Sequence, residues 1–219
     1  MSTPNIIIYF MQRFSWILVV LMITFGWTSP ILMFLAFICM IGPVIFSFSY
    51  GRGWCGNFCP RGSFSTMVLS IISPKKKIPR IFKNIWFRIF VLTIIMTFFI
   101  YGLSQPHSSL TCLGGIFIKM MAITTIVQIC LAVLIHQYAW CTFCPMGTIA
   151  HCITRIKKGV PNNIKISDKC TSCNMCTKSC PTQVDISSWR DIGEIKDADC
   201  MKCRKCIKNC PNNCLSYME

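Results

Sequence analysis

DKCTSCNMCTKSCP, residues 168–181, returns thirty residues later as ADCMKCRKCIKNCP, residues 198–211. Both copies have the spacing C-x2-C-x2-C-x3-C-P. Three closely spaced thiolates wrap one face of an iron-sulfur cubane, and where two such runs occur together the fourth cysteine, ahead of a proline, ligates the other cluster. The pattern therefore groups Cys170, Cys173 and Cys176 with Cys210, and Cys200, Cys203 and Cys206 with Cys180. Zinc knuckles and disulfides do not need this doubled, crossed spacing.

The two runs resemble the halves of a bacterial 2[4Fe-4S] ferredoxin over about residues 165–219. That resemblance implies a small pseudo-twofold α+β domain. Cys214, four residues past Cys210, reads as a buried thiol rather than a ligand. Seventeen cysteines in a secreted chain would suggest disulfides, but these runs need free thiolates, so the tail belongs in a reducing cytoplasm.

Upstream the composition changes. Hydrophobic residues make up 53% of the chain and concentrate before residue 140, and no Asp or Glu occurs before Asp168. Four apolar stretches read as membrane spans: Ile6 to Trp27, interrupted by Arg13; Ile31 to Tyr50; Ile85 to Leu103; and Ile116 to Trp140. The first is followed at once by the second and has no small-residue cleavage site, so it reads as half of a retained hairpin rather than a signal peptide. The loop from Gly51 to Asn84 carries Arg52, Arg61, Lys75, Lys76, Lys77, Arg80 and Lys83, whereas the turns at 28–30 and 104–115 carry no Lys or Arg. The positive-inside rule makes that loop cytoplasmic, with both termini and the ferredoxin-like domain on the same side of an inner membrane. Topology explains the basic balance, and nucleic acid is not an expected partner. Without a carboxylate, the membrane part is not expected to relay protons.

This part also repeats itself. WCGNFCPRGS (54–63) is echoed by WCTFCPMGT (140–148), one residue shorter between its cysteines, and each copy closes a pair of apolar stretches. The expected fold is therefore an all-α membrane core of about four transmembrane helices in two duplicated hairpins over residues 1–155. A linker at 156–164 and the α+β domain at 165–219 follow. Three readings stand for Cys55, Cys59, Cys141 and Cys144. They converge on a third metal site at the cytoplasmic face; or Cys141 and Cys144 work as a redox dithiol; or Trp54 and Trp140 anchor helix ends while the cysteines merely pack. Cys39, Cys112, Cys130, Cys152, His107 and His151 have no partner at ligand spacing. His136 and Gln137 read as solvated at a helix end rather than as quinone contacts.

With a two-cluster tail behind hairpins ending in WCGNFCP and WCTFCP, the whole chain resembles the NapH-like membrane ferredoxins, related to the membrane cores of the NosR and CcoG polyferredoxins. The shorter second motif departs from the C-x3-C-P pair usual there. The resemblance implies two [4Fe-4S] clusters and single-electron relay between a cytoplasmic or quinone-linked donor and a partner oxidoreductase. Expected partners are the lipid membrane and redox proteins such as a ferredoxin, a reductase or a quinone-linked subunit. The chain then acts as an electron-transfer subunit rather than a stand-alone enzyme. Two other roles are compatible with the motifs: metal-centre maturation, with the membrane cysteines handling copper, and a redox-sensing anchor.

Overall fold

The computed structural model describes residues 3–26, 29–105, 110–157 and 164–217. The apolar half is helical. Helices α1 (Thr3–Phe14) and α2 (Trp16–Phe25) divide the first apolar stretch at Ser15, whose hydroxyl bonds back to Met11 O. The expected single span is thus two shorter pieces. Helix α3 (Pro30–Tyr50) begins with proline at its first turn, where the missing N–H costs nothing, and ends at Gly51, whose positive φ of 56° stops it. Of the expected turn at 28–30, Thr28 lies outside the described residues while Ser29 and Pro30 lead into α3; most of the linker at 156–164 and His107 also lie outside them.

Short helices α4 (Gly53–Asn57) and α5 (Pro60–Phe64), a π-turn at Ser65–Leu69 and α6 (Ser70–Ile72) follow. Helix α7 (Ile85–Ser104) starts at Asn84, whose side chain accepts from Trp86 N, the usual N-cap arrangement. Helix α8 (Leu110–Leu134) runs back, and α9 (Ala139–Phe143) and α10 (Pro145–Ile156) close the core. Among the described residues, Ile85–Ser104 and Gly114–Leu134 are long and apolar enough to cross a membrane, while Trp16–Phe25 and Phe34–Tyr50 are shorter apolar helices. Helix α7 turns its side chains outward, with Trp86 76% and Phe98 73% exposed. Exposed apolar area on that scale marks a surface that another apolar phase covers.

The tail is a two-stranded antiparallel sheet, β1 (Ile164–Ile166) against β2 (Leu215–Tyr217), with helices α11 (Met175–Ser179) and α12 (Lys205–Lys208). Its core is Ile164, Ile166, Val184, Ile186, Ile195, Cys206, Cys214 and Leu215. The sequence repeat is also a backbone repeat. Positive φ at residues other than glycine falls on Ser172, Asn174 and Gln183, and again on Lys202, Arg204 and Asn213, each exactly thirty positions on. Turn hydrogen bonds recur at the same offset: Cys170 N to Ser167 O and Cys200 N to Asp197 O, Gln183 N to Cys180 O and Asn213 N to Cys210 O. Left-handed residues beside the middle cysteine of each run curl the chain so that successive thiols face one centre, a strain that persists at functional sites.

Candidate metal centres

In the tail the two cysteine groups read from the spacing each line a separate cavity. One is bounded by Cys170, Cys173, Cys176 and Cys210, joined by Cys214; the other by Cys180, Cys200, Cys203 and Cys206. The donor set fits an iron-sulfur cluster in both, with five thiols around the first cavity, four around the second, and no carboxylate or imidazole among the lining residues. Cys214 is buried, as expected, but its Sγ lies 3.2 Å from that of Cys210, so it packs directly behind a proposed ligand. Burial and the Cys210 hydrogen bond push its thiol up to about 12. Burial likewise pushes Cys200 to about 12.

The membrane motifs meet as well. Cys55, Cys59, Cys141 and Cys144 line one chamber of about 110 Å³, with Cys39, Met40, Met120, Met121 and Met146 further along its wall. Local geometry explains why both copies deliver their cysteines alike. The first cysteine of each sits on a five-residue helix, α4 or α9, and the second is the N-cap of the next helix, directly before Pro60 or Pro145. Cys59 N bonds Trp54 O at 3.0 Å across five residues, and Cys144 N bonds Trp140 O at 2.9 Å across four. The extra residue of the first copy is thus absorbed in one wider turn, and the departure in spacing leaves the arrangement intact. Glycine of the C-P-x-G motif permits the tight return: a Cβ on Gly62 would lie 2.6 Å from Cys55 O, and one on Gly147 2.8 Å from Arg52 Nη2.

Burial pushes Cys55 and Cys141 up to about 12. Of the two tryptophans read as helix-end anchors, Trp140 is buried and Trp54 half-buried. Trp140 is 4% exposed, forms chamber wall beneath the Arg61 guanidinium, and stands edge-on to Phe143; Trp54 packs against Phe46 and Phe58. His136 is buried rather than solvated, its Nδ1 accepting from Tyr138 N.

Spacing could not show the arginines that charge counting assigned to topology. Arg61 lies against α8, donating to Gln128 Oε1 at 3.0 Å and Thr124 Oγ1 at 3.1 Å. Arg52 is buried and donates to Asp199 at 2.7 Å and to Cys141 O. Arg88, fully buried, grips the same carboxylate with both guanidinium nitrogens, at 2.7 and 2.8 Å, and His151 Nδ1 stands 3.0 Å from it. Burial opposes the Asp199 charge, yet His151, Arg88 and Arg52 together hold its carboxyl far below the usual range. Because Asp199 precedes Cys200, this knot ties the tail to the helical core beside the second cavity. Lys205 Nζ to Tyr138 OH at 2.7 Å, and Ile78 N to Gln183 Oε1 at 3.0 Å, add to the junction. The two arginines that flank the first motif, in R-G-W-C and C-P-R-G and without counterpart in the second, were the available signal.

The chain matches a 4Fe-4S binding domain family over residues 32–79 and again over 114–163, and a 4Fe-4S dicluster domain family over 162–211. Two uncharacterized proteins of Methanocaldococcus jannaschii are similar to it. One is 28% identical over 163 residues, covering 68% of this chain and 66% of the relative; the other is 24% identical over 169 residues, covering 72% and 63%. The match thus spans slightly less than two thirds of either relative. No solved structure matches the chain. The matched domains support iron-sulfur cluster cofactors, consistent with two clusters, and suggest electron transfer. With its thiol-lined cavities and its two membrane-length helices, the chain is an iron-sulfur, ferredoxin-like protein.

Proposed function

We propose that the protein is a membrane-anchored electron carrier that relays single electrons between a cytoplasmic or quinone-linked donor and a partner oxidoreductase, as an inner-membrane subunit of a larger system. One cluster is held by Cys170, Cys173, Cys176 and Cys210, the other by Cys200, Cys203, Cys206 and Cys180. The observation that carries this reading is the pair of thiol-lined cavities in the repeated tail, one of them pressed against the helical core. Bound clusters supply reversible one-electron redox chemistry. The chain's own residues orient the thiols through left-handed turns, exclude water with the Ile164, Ile186 and Leu215 core, and offset negative charge with lysines and arginines. The outward apolar side chains of α7 support anchoring in lipid, with both termini and the tail on the cytoplasmic side.

Iron analysis of the full chain, purified without oxygen, tests the assignment. Cys176→Ser and Cys206→Ser should each remove about four irons per chain, and the same four lost in both variants would refute two separate sites. Retention of the wild type in membranes washed at alkaline pH checks the anchor; release into the wash would refute it. A maturation role is favoured by one feature, the four methionines beside five cysteines in the chamber, a soft donor set suited to monovalent copper. Stoichiometric copper in the purified protein would establish that role instead.

A further inference from the structure

Each motif of the helical core brings two cysteines to the chamber and Cys39 adds one more from the first half, so neither half alone supplies the four thiolates of a cubane, although each matches a 4Fe-4S binding domain family. Both pairs face the same space. Among the described residues no three potential ligands close on a single ion. That holds for the tail groups too, where the thiols also ring a cavity. A single ion draws its four sulfurs to about 2.3 Å from one point, whereas a cubane keeps them apart at its corners.

The wall carries what a buried anion needs. Trp140 Nε1 and Arg61 Nη2 are buried with no acceptor among the described residues, and both residues line the chamber. Arg52 Nε is also without an acceptor among the described residues, and its terminal nitrogen holds Cys141 O. Buried donors without partners cost free energy unless an acceptor arrives, and cluster sulfides and thiolates accept such N–H groups. Arg52 and Arg88 share the single carboxylate of Asp199, so with Arg61 these four side chains sum to two positive charges when His151 is neutral, and Lys205 adds another at the junction. Such an excess of positive charge offsets the double negative charge of a tetrathiolate cubane in its oxidised form.

Among the described residues, the chamber's cysteines share a cleft with one tail cavity, and no core residue lines the other. A Cβ on Gly56, next to Cys55, would strike Met201 O and lie 3.2 Å from Cys203 Cβ. Cys55, Cys59 and Cys203 line a common cleft, together with Pro181 and Met201. The other cavity has Thr171, Ser172, Cys173 and Asn174 exposed at its rim.

We propose that the two core halves hold one shared third [4Fe-4S] cluster on Cys55, Cys59, Cys141 and Cys144, and that the cluster on Cys180, Cys200, Cys203 and Cys206 is the inner step between it and an outer, partner-facing cluster. This rests on the two-cluster reading of the tail. One electron lost at the outer centre is gained at the inner one, and passes from there to the core centre. Each centre changes by one unit and no bond or proton moves. A one-electron carrier protein supplies or removes the electron outside.

Iron and sulfide analysis of the anaerobic full chain, with spin-resonance counting after dithionite reduction, decides it. The wild type should hold about twelve irons per chain, and Cys55→Ser with Cys141→Ser about eight. About eight irons in the wild type would overturn the third cluster and leave the tail reading standing; about four or fewer would overturn both. Copper in the chamber, with iron unchanged by the double variant, would also overturn it. For the order of centres, Gly56→Leu should keep the wild-type iron count but lose the magnetic coupling between the core centre and the inner one. Coupling that survives Gly56→Leu and vanishes in Cys176→Ser would place the outer centre next to the core and overturn the order.

Discussion

The two halves of the tail share a backbone and differ in what surrounds it. Ser172 and Lys202, Asn174 and Arg204, Gln183 and Asn213 occupy matching left-handed positions, yet Ser172, Cys173 and Met175 are exposed while Met201, Lys202 and Cys206 are buried. Asp199, the residue that ties the tail to the core, has Lys169, an exposed cation, at its matching position. A repeat thus preserves the curl that aims thiols at one centre, because that curl is local. Its flanks are free to diverge, so one half docks and the other presents a face to solvent.

The largest test of this contrast removes a centre from each half. Metal binding to thiolates is coupled to folding, and the second half is also the docking half. Cys206→Ser should therefore lower the melting temperature of the detergent-purified protein well beyond the effect of Cys176→Ser, although each loses a similar amount of iron. Equal shifts would mean that docking does not depend on that centre.

Next in size is the knot. Asp199→Asn leaves two buried guanidiniums sharing a neutral amide, a change expected to cost about 3–5 kcal/mol. Thermal unfolding should show it, with exposed Asp191→Asn as the silent control. The core repeat offers a finer comparison. An alanine Cβ at position 62 meets a backbone carbonyl, at 147 the end of a long side chain. Gly62→Ala should cost about 1–3 kcal/mol and Gly147→Ala clearly less, measured in the same way. The smallest effect concerns strain. Ser172→Gly relieves a left-handed residue on the exposed half, for a change of at most about 1 kcal/mol in its favour, whereas Lys202→Gly strips a buried side chain and should destabilise.

Much of the site was legible because cysteine spacing is a local property. The crossed grouping of Cys170, Cys173 and Cys176 with Cys210 follows from counting residues, and the cavities are lined accordingly. The echo of WCGNFCP in WCTFCP was legible for the same reason. Spans were less so. Apolar length marked four, but Ser15 divides the first, and only α7 and α8 contain described stretches that meet the length and hydropathy of a crossing helix. Hydropathy registers composition and is blind to a break between two helices.

Charge was the poorest guide. Arg52 and Arg61 counted as topology signals, yet they sit at the chamber and the knot, because a guanidinium can be buried when carbonyls, amides and one carboxylate receive its donors. His151 had no partner within its own stretch, and finds one 48 residues away in Asp199. The sequence by itself determined the iron-sulfur chemistry, the two repeats and the apolar character of the first half, since each is written in spacing or composition over a few dozen residues. Only the tertiary structure decided that the two core motifs face one chamber, that the chamber abuts the second tail half, and that a single aspartate binds the parts together. Those are contacts between residues far apart in the chain, and they depend on how helices pack rather than on any local pattern.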